Sequence, residues 1–227
     1  IYSRKLQLTI KKIRPVNEDD REHGFNFQDL VLSSDRDIDK LWSEIEDMIK
    51  SIKNIHLREL SNNIYQKLED ELKTFPASMS LHHAYQGGLL EHIYHCAKNG
   101  LGICRNYPEL DQDLVLSGIL LHDIGKIDEL TSGINIKYTD QGNFTGHLVL
   151  GRDRINEAID EIDFFPEELH NKLEHIMLAH HGKMEWGSPR EPAFSEAAIV
   201  FYADKIDTYL KQMKEAISDD ESEGNWT

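Results

Sequence analysis

The apolar residues of this chain fall mostly at helical intervals. Ile38, Leu41, Trp42, Ile45, Met48, Ile49 and Ile52 recur every three or four positions behind a potential cap at Ser34-Asp35, which predicts an amphipathic helix. Asn54 is placed to cap a second, with Leu57, Leu60, Ile64, Leu68 and Leu72 on its stripe before Pro76. Gly87-Gly88 leads into a third, from Leu89 to about Asn106, and Asp111 opens a fourth whose apolar run Leu114–Leu121 ends in His122-Asp123. Thr145 is positioned to cap a helix from Gly146 to about Ile162, Pro166 opens another that stops at Gly182, and a long helix runs from near Pro192 to about Ile217. Two stretches break the helical period. Leu6–Val16 alternates apolar and polar residues and stops at Pro15, reading as one strand; Ile134–Tyr138 alternates, Asp140-Gln141-Gly142 offers a turn and Asn143-Phe144 a return, reading as a hairpin. The expected fold is mostly α: a helical bundle with a small inserted β-hairpin and an N-terminal strand or arm.

Composition narrows the class. Of 227 residues, 39% are hydrophobic and 29% charged, which describes a folded, soluble chain with no apolar run of membrane-spanning length. The formal net charge of −16 argues against unaided electrostatic capture of nucleic acid. Cys96 and Cys104 lie eight residues apart on one expected helix, roughly 12 Å of rise, too far for a disulfide; unpaired thiols suit a reducing cytoplasm. The chain begins with Ile1 rather than Met, as a fragment or trimmed N-terminus would.

Most of the histidines cluster between His82 and His181, and this gives the picture its chemistry. His92 sits in LLEHI, His122 and Asp123 in LLHDIGK, His147 in TGHLVLG, His180 and His181 in LAHHG, and Asp204 in FYADKID. Each lies on a different expected helix, apart from the two adjacent pairs. Singly, each has an ordinary reading: His92 as a bonded core histidine, His147 as a cap, His180-His181 as a polar helix end, Asp204 as a partner for Lys205. Together they read as a metal site, because facing helices of a bundle converge on one interior point and a bare carboxylate in apolar surroundings is costly. Imidazole and carboxylate donors suit Mn, Fe, Co, Ni or Zn.

The order His, His-Asp, His, His-His, Asp resembles the HD superfamily of metal-dependent phosphohydrolases. The flanking words HHAYQGGLLEH, LLHDIGKI, YTDQGNFTGH, HHGKMEWGSP and FYADKID are similar to those of YhaM-type 3′–5′ exoribonucleases. That resemblance implies an HD domain over about residues 55–217, preceded by a linker and connecting helix at 18–54 and followed by an acidic tail at 218–227. It also implies an N-terminal OB-fold, of which residues 1–17 would be the last strand of a truncated copy. It implies one or two divalent ions, Mn first among them: His92, His122, Asp123 and Asp204 on one, and Asp123 as a bridge to another held by His147, His180 and His181. Asp123 and Lys126 would be catalytic, His83, Lys126 and Arg190 would contact substrate, and Glu91 would orient ligands. The implied reaction is hydrolysis of a phosphodiester at the 3′ end of single-stranded RNA or DNA by metal-activated water. An HD nucleotide or cyclic-nucleotide phosphohydrolase, a di-iron HD oxygenase and a binding module with a vestigial site remain open, the last opposed by the complete ligand set.

Overall fold

The apolar stripes fold as helices. The computed structural model describes residues 9–26, 32–79 and 83–219, and the chain divides into two compact units, Ile1–Val31 and Leu32–Thr227. In the smaller unit a short helix, α1 (Glu18–Glu22), begins at Asn17 in a capping box with Asp20. The Arg14 guanidinium clamps the Asp20 carboxylate at 2.6 and 2.7 Å. The expected N-terminal strand is not found: residues 9–17 pair with nothing in a sheet, and the start of the expected strand lies outside the described residues. Alternation alone does not make a strand without a ladder partner, and here Ile10, Ile13 and Val16 are exposed rather than packed on a sheet face.

The larger unit is a helical bundle. Its elements are α2 (Ile38–Ser51), α3 (Ile55–Lys67), α4 (Glu69–Thr74), α5 (Gly88–Cys104), α6 (Gln112–Leu121), α7 (Lys126–Glu129), α8 (Asp140–Thr145), α9 (His147–Asp160), α10 (Glu167–Ala179) and α11 (Ser195–Asp219). Helices α5, α6 and α11 pack against one another at the centre; α2 and α4 lie on α5, α3 on α6 and α9, and the pair α9–α10 closes the opposite side against α6 and α11. Helix α6 is apolar on every side, and Leu114 through Leu121 are all buried, as a central helix requires. Caps set the boundaries: Asn54 accepts from the α3 backbone and Asp111 from Leu114 N at 3.0 Å, both as expected. The α2 cap is Asp37, not Ser34-Asp35; the Ser34 hydroxyl instead donates to Glu91. The stripe ending at Leu72 is broken at Leu68 into α3 and α4.

The inserted hairpin is not formed. Among the described residues the segment makes one isolated antiparallel bridge, Leu130 with Tyr138, and no strand. The return leg is α8. Thr139 Oγ1 accepts from Gly142 N at 2.9 Å, so Asp140-Gln141-Gly142 is the first turn of a capped helix rather than a hairpin turn. Among the described residues no helix is long and apolar enough to cross a membrane.

Candidate metal centre

Helix ends deliver most of the site. His122 follows the last turn of α6 and His180 the last turn of α10. Their Nδ1–H groups donate to the Ile119 and Met177 carbonyls, at 2.7 and 2.8 Å, and so satisfy carbonyls that a helix terminus leaves open. His147 starts α9, where its Nδ1–H and its backbone N–H both donate to Glu129 Oε1 at 2.8 and 3.0 Å. Gly125 lets α9 come this close: a Cβ there would collide with the His147 carbonyl and the Gly151 backbone. His92, in the second turn of α5, donates from Nδ1 to Asp207 Oδ2 at 2.7 Å, and His181 donates to the Trp186 carbonyl at 2.9 Å.

All five rings therefore spend their Nδ1 proton on an outer acceptor, which leaves Nε2 of the neutral ring free to bind a cation. Those nitrogens converge on Asp123. Oδ2 lies 3.4 Å from His92 Nε2 and 3.3 Å from His122 Nε2, while His92 Nε2 is also 3.3 Å from Asp204 Oδ1. The other oxygen, Oδ1, lies 3.6 Å from His147 Nε2 and 3.7 Å from His180 Nε2, and His147 Nε2 faces His181 Nε2 at 3.1 Å. Asp123 thus stands between two sets of acceptors, with one oxygen turned to each.

Acceptors facing acceptors is a poor arrangement unless a cation lies among them. His122 Nε2 and His180 Nε2 are buried and make no hydrogen bond, which costs about 1–3 kcal/mol for each, and Asp123 Oδ2 meets a donor in the Lys126 ammonium at 2.6 Å. Bonds of about 2.1 Å at tetrahedral to octahedral angles put donor atoms roughly 3.0–3.5 Å apart, close to the spacing seen here. Both His92, His122, Asp204 with Cys96, and His147, His180, His181 are groups whose donor atoms lie within 4.8 Å of one another. The residues fit a divalent transition metal in each half.

The charges differ between halves. Burial opposes ionisation of Asp123, but His122 and Lys126 outweigh it and hold the carboxyl well below its usual range; Asp204 is held low against burial by His92 and His122. Burial pulls His92 down, but Cys96 and the three neighbouring aspartates win, so in the absence of a metal its ring takes a proton. His180 is driven the other way, by burial and by the histidines around it, and His181 falls to about 4 for the same reasons.

A family model described as HD domain matches residues 89–209. The chain belongs to the HD-domain family. It is also 32% identical over 216 residues to the 3′–5′ exoribonuclease YhaM of Bacillus subtilis (strain 168), an alignment spanning 95% of this chain and 68% of that protein. No solved structure matches it. All of His92, His122, Asp123, His147, His180, His181 and Asp204 lie inside the matched HD domain, and the fold brings them together.

The expected substrate contacts are placed less uniformly. Lys126 is buried with Nζ 2.6 Å from Asp123 Oδ2, and it lines a cavity of about 180 Å³ together with Asp123, His181, Trp186, Asp204, Lys205 and Thr208. His83 is buried with both ring nitrogens engaged, by the Tyr85 hydroxyl at 2.7 Å and Asp207 Oδ2 at 3.0 Å. Arg190 is exposed and acts electrostatically on His175 of α10. His82 lies outside the described residues. Glu91 accepts from the Ser34 and Tyr85 hydroxyls, and a path of contacts runs from it to His92 through Tyr85, His83 and Asp207.

Four residues of this HD domain take part in the site without having been expected there from the sequence. Asp207 and Glu129 anchor His92 and His147 from behind. Cys96 places Sγ 3.7 Å from both ring nitrogens of His92, and burial pushes its thiol up to about 12. Trp186 forms part of the cavity wall.

Proposed function

We propose that this chain is a metal-dependent phosphodiester hydrolase that removes nucleotides from the 3′ end of single-stranded RNA. The observation that carries the metal is the convergence of imidazole Nε2 atoms and carboxylate oxygens around Asp123, with His122 Nε2 and His180 Nε2 buried and without a hydrogen bond. The RNA part rests on the likeness to the exoribonuclease YhaM.

His92, His122, Asp123 Oδ2 and Asp204 would hold one ion, Mn in the first instance; Asp123 Oδ1, His147, His180 and His181 would hold the other. Bound there, such ions lower the pKa of water and stabilise charge on phosphoryl oxygens. The chain's own residues fix the arrangement. Thr208 Oγ1–H donates to Asp204 Oδ1 at 3.1 Å, and Asp207 and Glu129 lock the rings of His92 and His147, so the donors need little reorganisation. Lys126 holds an ammonium at the cavity wall, where it would meet a phosphate oxygen of the substrate. Water adds to phosphorus, the P–O bond to the upstream 3′ oxygen breaks, and that oxygen leaves with a proton.

The test is to strip the protein of metal, reload it with Mn and supply 5′-labelled single-stranded RNA. Products should shorten stepwise from the 3′ end, and Asp123→Ala should abolish the ladder. Hydrolysis of free nucleotides alone would replace this reading with a nucleotide phosphohydrolase. Oxygen uptake with iron and no ester cleavage would replace it with an oxygenase.

A further inference from the structure

The cavity beside Asp123 has an aromatic rim. Trp186 ends a 3-10 turn, Met184–Trp186, and the residue is 41% exposed although it lines the same cavity as Asp123, Lys126 and Asp204. The turn is held in place from several sides. The Trp186 carbonyl accepts from His181, Ser188 N donates to the Lys183 carbonyl at 3.2 Å, and the ring of Phe201 lies 6.2 Å from the indole, centroid to centroid. Phe201 in turn fills the space where any side chain at Gly182 would have to go, and Gly182 has φ +83°. An exposed indole fixed this firmly is a surface rather than a flexible flap.

Two ammonium groups already rest on it. Lys205 Nζ lies 4.4 Å and Lys183 Nζ 4.9 Å from the ring centroid. In a chain of net charge −16, the indole thus carries two ammonium groups, one of them, Lys205, lining the cavity with Lys126 across from the Asp123 and Asp204 carboxylates. An exposed cation–π contact is worth about 2- to 5-fold in an equilibrium, whereas stacking of a nucleobase on an aromatic ring is worth about 5- to 150-fold. A base can therefore displace a lysine from the indole, and the displaced ammonium remains within reach of the phosphate attached to that nucleotide.

We infer that Trp186 is the stacking platform for the base of the terminal nucleotide, with Lys183 and Lys205 taking the phosphate charge beside it. This rests on the hydrolase reading for its substrate class but not for its geometry. Stacking selects for the presence of a base and tolerates which base it is, as a sequence-independent exonuclease requires.

Two probes test it without turnover: adenosine 5′-monophosphate and ribose 5-phosphate, which share sugar and phosphate and differ by the base. Calorimetry on the full, Mn-loaded chain should show the nucleotide binding at least about 10-fold more tightly. Trp186→Ala should bring the two affinities together by weakening only the nucleotide, and Trp186→Phe should keep most of the preference. Circular dichroism and metal content should match the parent in both variants, since the His181 bond uses the residue 186 backbone. The platform is overturned if Trp186→Ala still discriminates as the parent does, or if the parent binds both probes equally or neither. RNA cleavage by the parent reports separately: cleavage with a base preference indifferent to Trp186 leaves the hydrolase and removes the platform, and the opposite result does the reverse.

Discussion

The two sides of Asp123 are built from different chemistry. The side of Oδ2 is deep in the bundle, with His92 and His122 wholly enclosed and two carboxylates, Asp123 and Asp204, in the set; a third, Asp207, stands behind His92. The side of Oδ1 is otherwise all imidazole, reaches the cavity wall at His181, and among the described residues has its acidic support in Glu129 behind His147. Negative charge in a low dielectric favours a dication strongly, whereas neutral imidazoles offer donors without net attraction. The inner half should therefore bind its ion more tightly and the outer half should exchange it. Asp123 thus joins a carboxylate-bearing half to an imidazole half, and each half reaches the cavity, through Asp204 and His181 respectively.

The largest effect should come from removing the shared residue. Asp123→Ala should lose both ions by elemental analysis and depress hydrolysis by more than about 10³-fold; an ion retained in either half would break the bridge between them. Next, the halves should separate on chelation. Stripping the metal should release one ion readily and the second slowly, with a fall in Tm of about 5–10 °C for each if the ions were held at 100 times their Kd. His181→Ala should abolish the fast step only, and His92→Ala the slow one; a single phase in the parent would mean that the halves are equivalent. Smaller again, Asp207→Asn and Glu129→Gln should each weaken metal binding about 10- to 100-fold, each in its own half, as measured by titration.

The smallest effect is a tilt with pH in the metal-free protein. His181 has its folded pKa lowered to about 4, so the unfolded chain binds the extra proton between that value and 6.5, and stability falls as pH is lowered through that window. His92 has its folded pKa raised, so its contribution is full below 6.5 and is lost as pH rises through the raised value. Urea titrations at several pH values should show His181→Ala flattening the acid limb and His92→Ala flattening the alkaline limb. Identical curves would erase the electrostatic difference between the halves.

Much of this was legible in the chain, for identifiable reasons. An amphipathic helix repeats its signal many times, so the stripes from Ile38 to Leu72 and the all-apolar Leu114–Leu121 announce their elements. An ionisable residue inside such a run, as with His92, Asp123 and Asp204, is conspicuous because it breaks the pattern. Signals carried by single residues read less well. Thr139 and the triplet Asp140-Gln141-Gly142 fit a hairpin turn or a helix start equally, and only the hydroxyl bond to Gly142 N decides. Asp37 and Ser34-Asp35 are equally good caps in sequence. Asp207 left a trace, since its spacing of three from Asp204 puts both carboxylates on one face of α11. Glu129 and Trp186 left none, because their roles arise from tertiary meetings with His147 and with the cavity.

Cys96 gives the inner half a chemical weakness. Its thiol is protonated at neutral pH and so offers nothing to a hard ion such as Mn. A thiophilic ion such as cadmium would instead expel that proton and gain a sulfur bond beside His92, a bond no manganese could compete for. The inner pocket would then take a poison where the proposed cofactor would sit. Cadmium capture should appear as thiolate-to-metal ultraviolet absorption in the parent and vanish in Cys96→Ser.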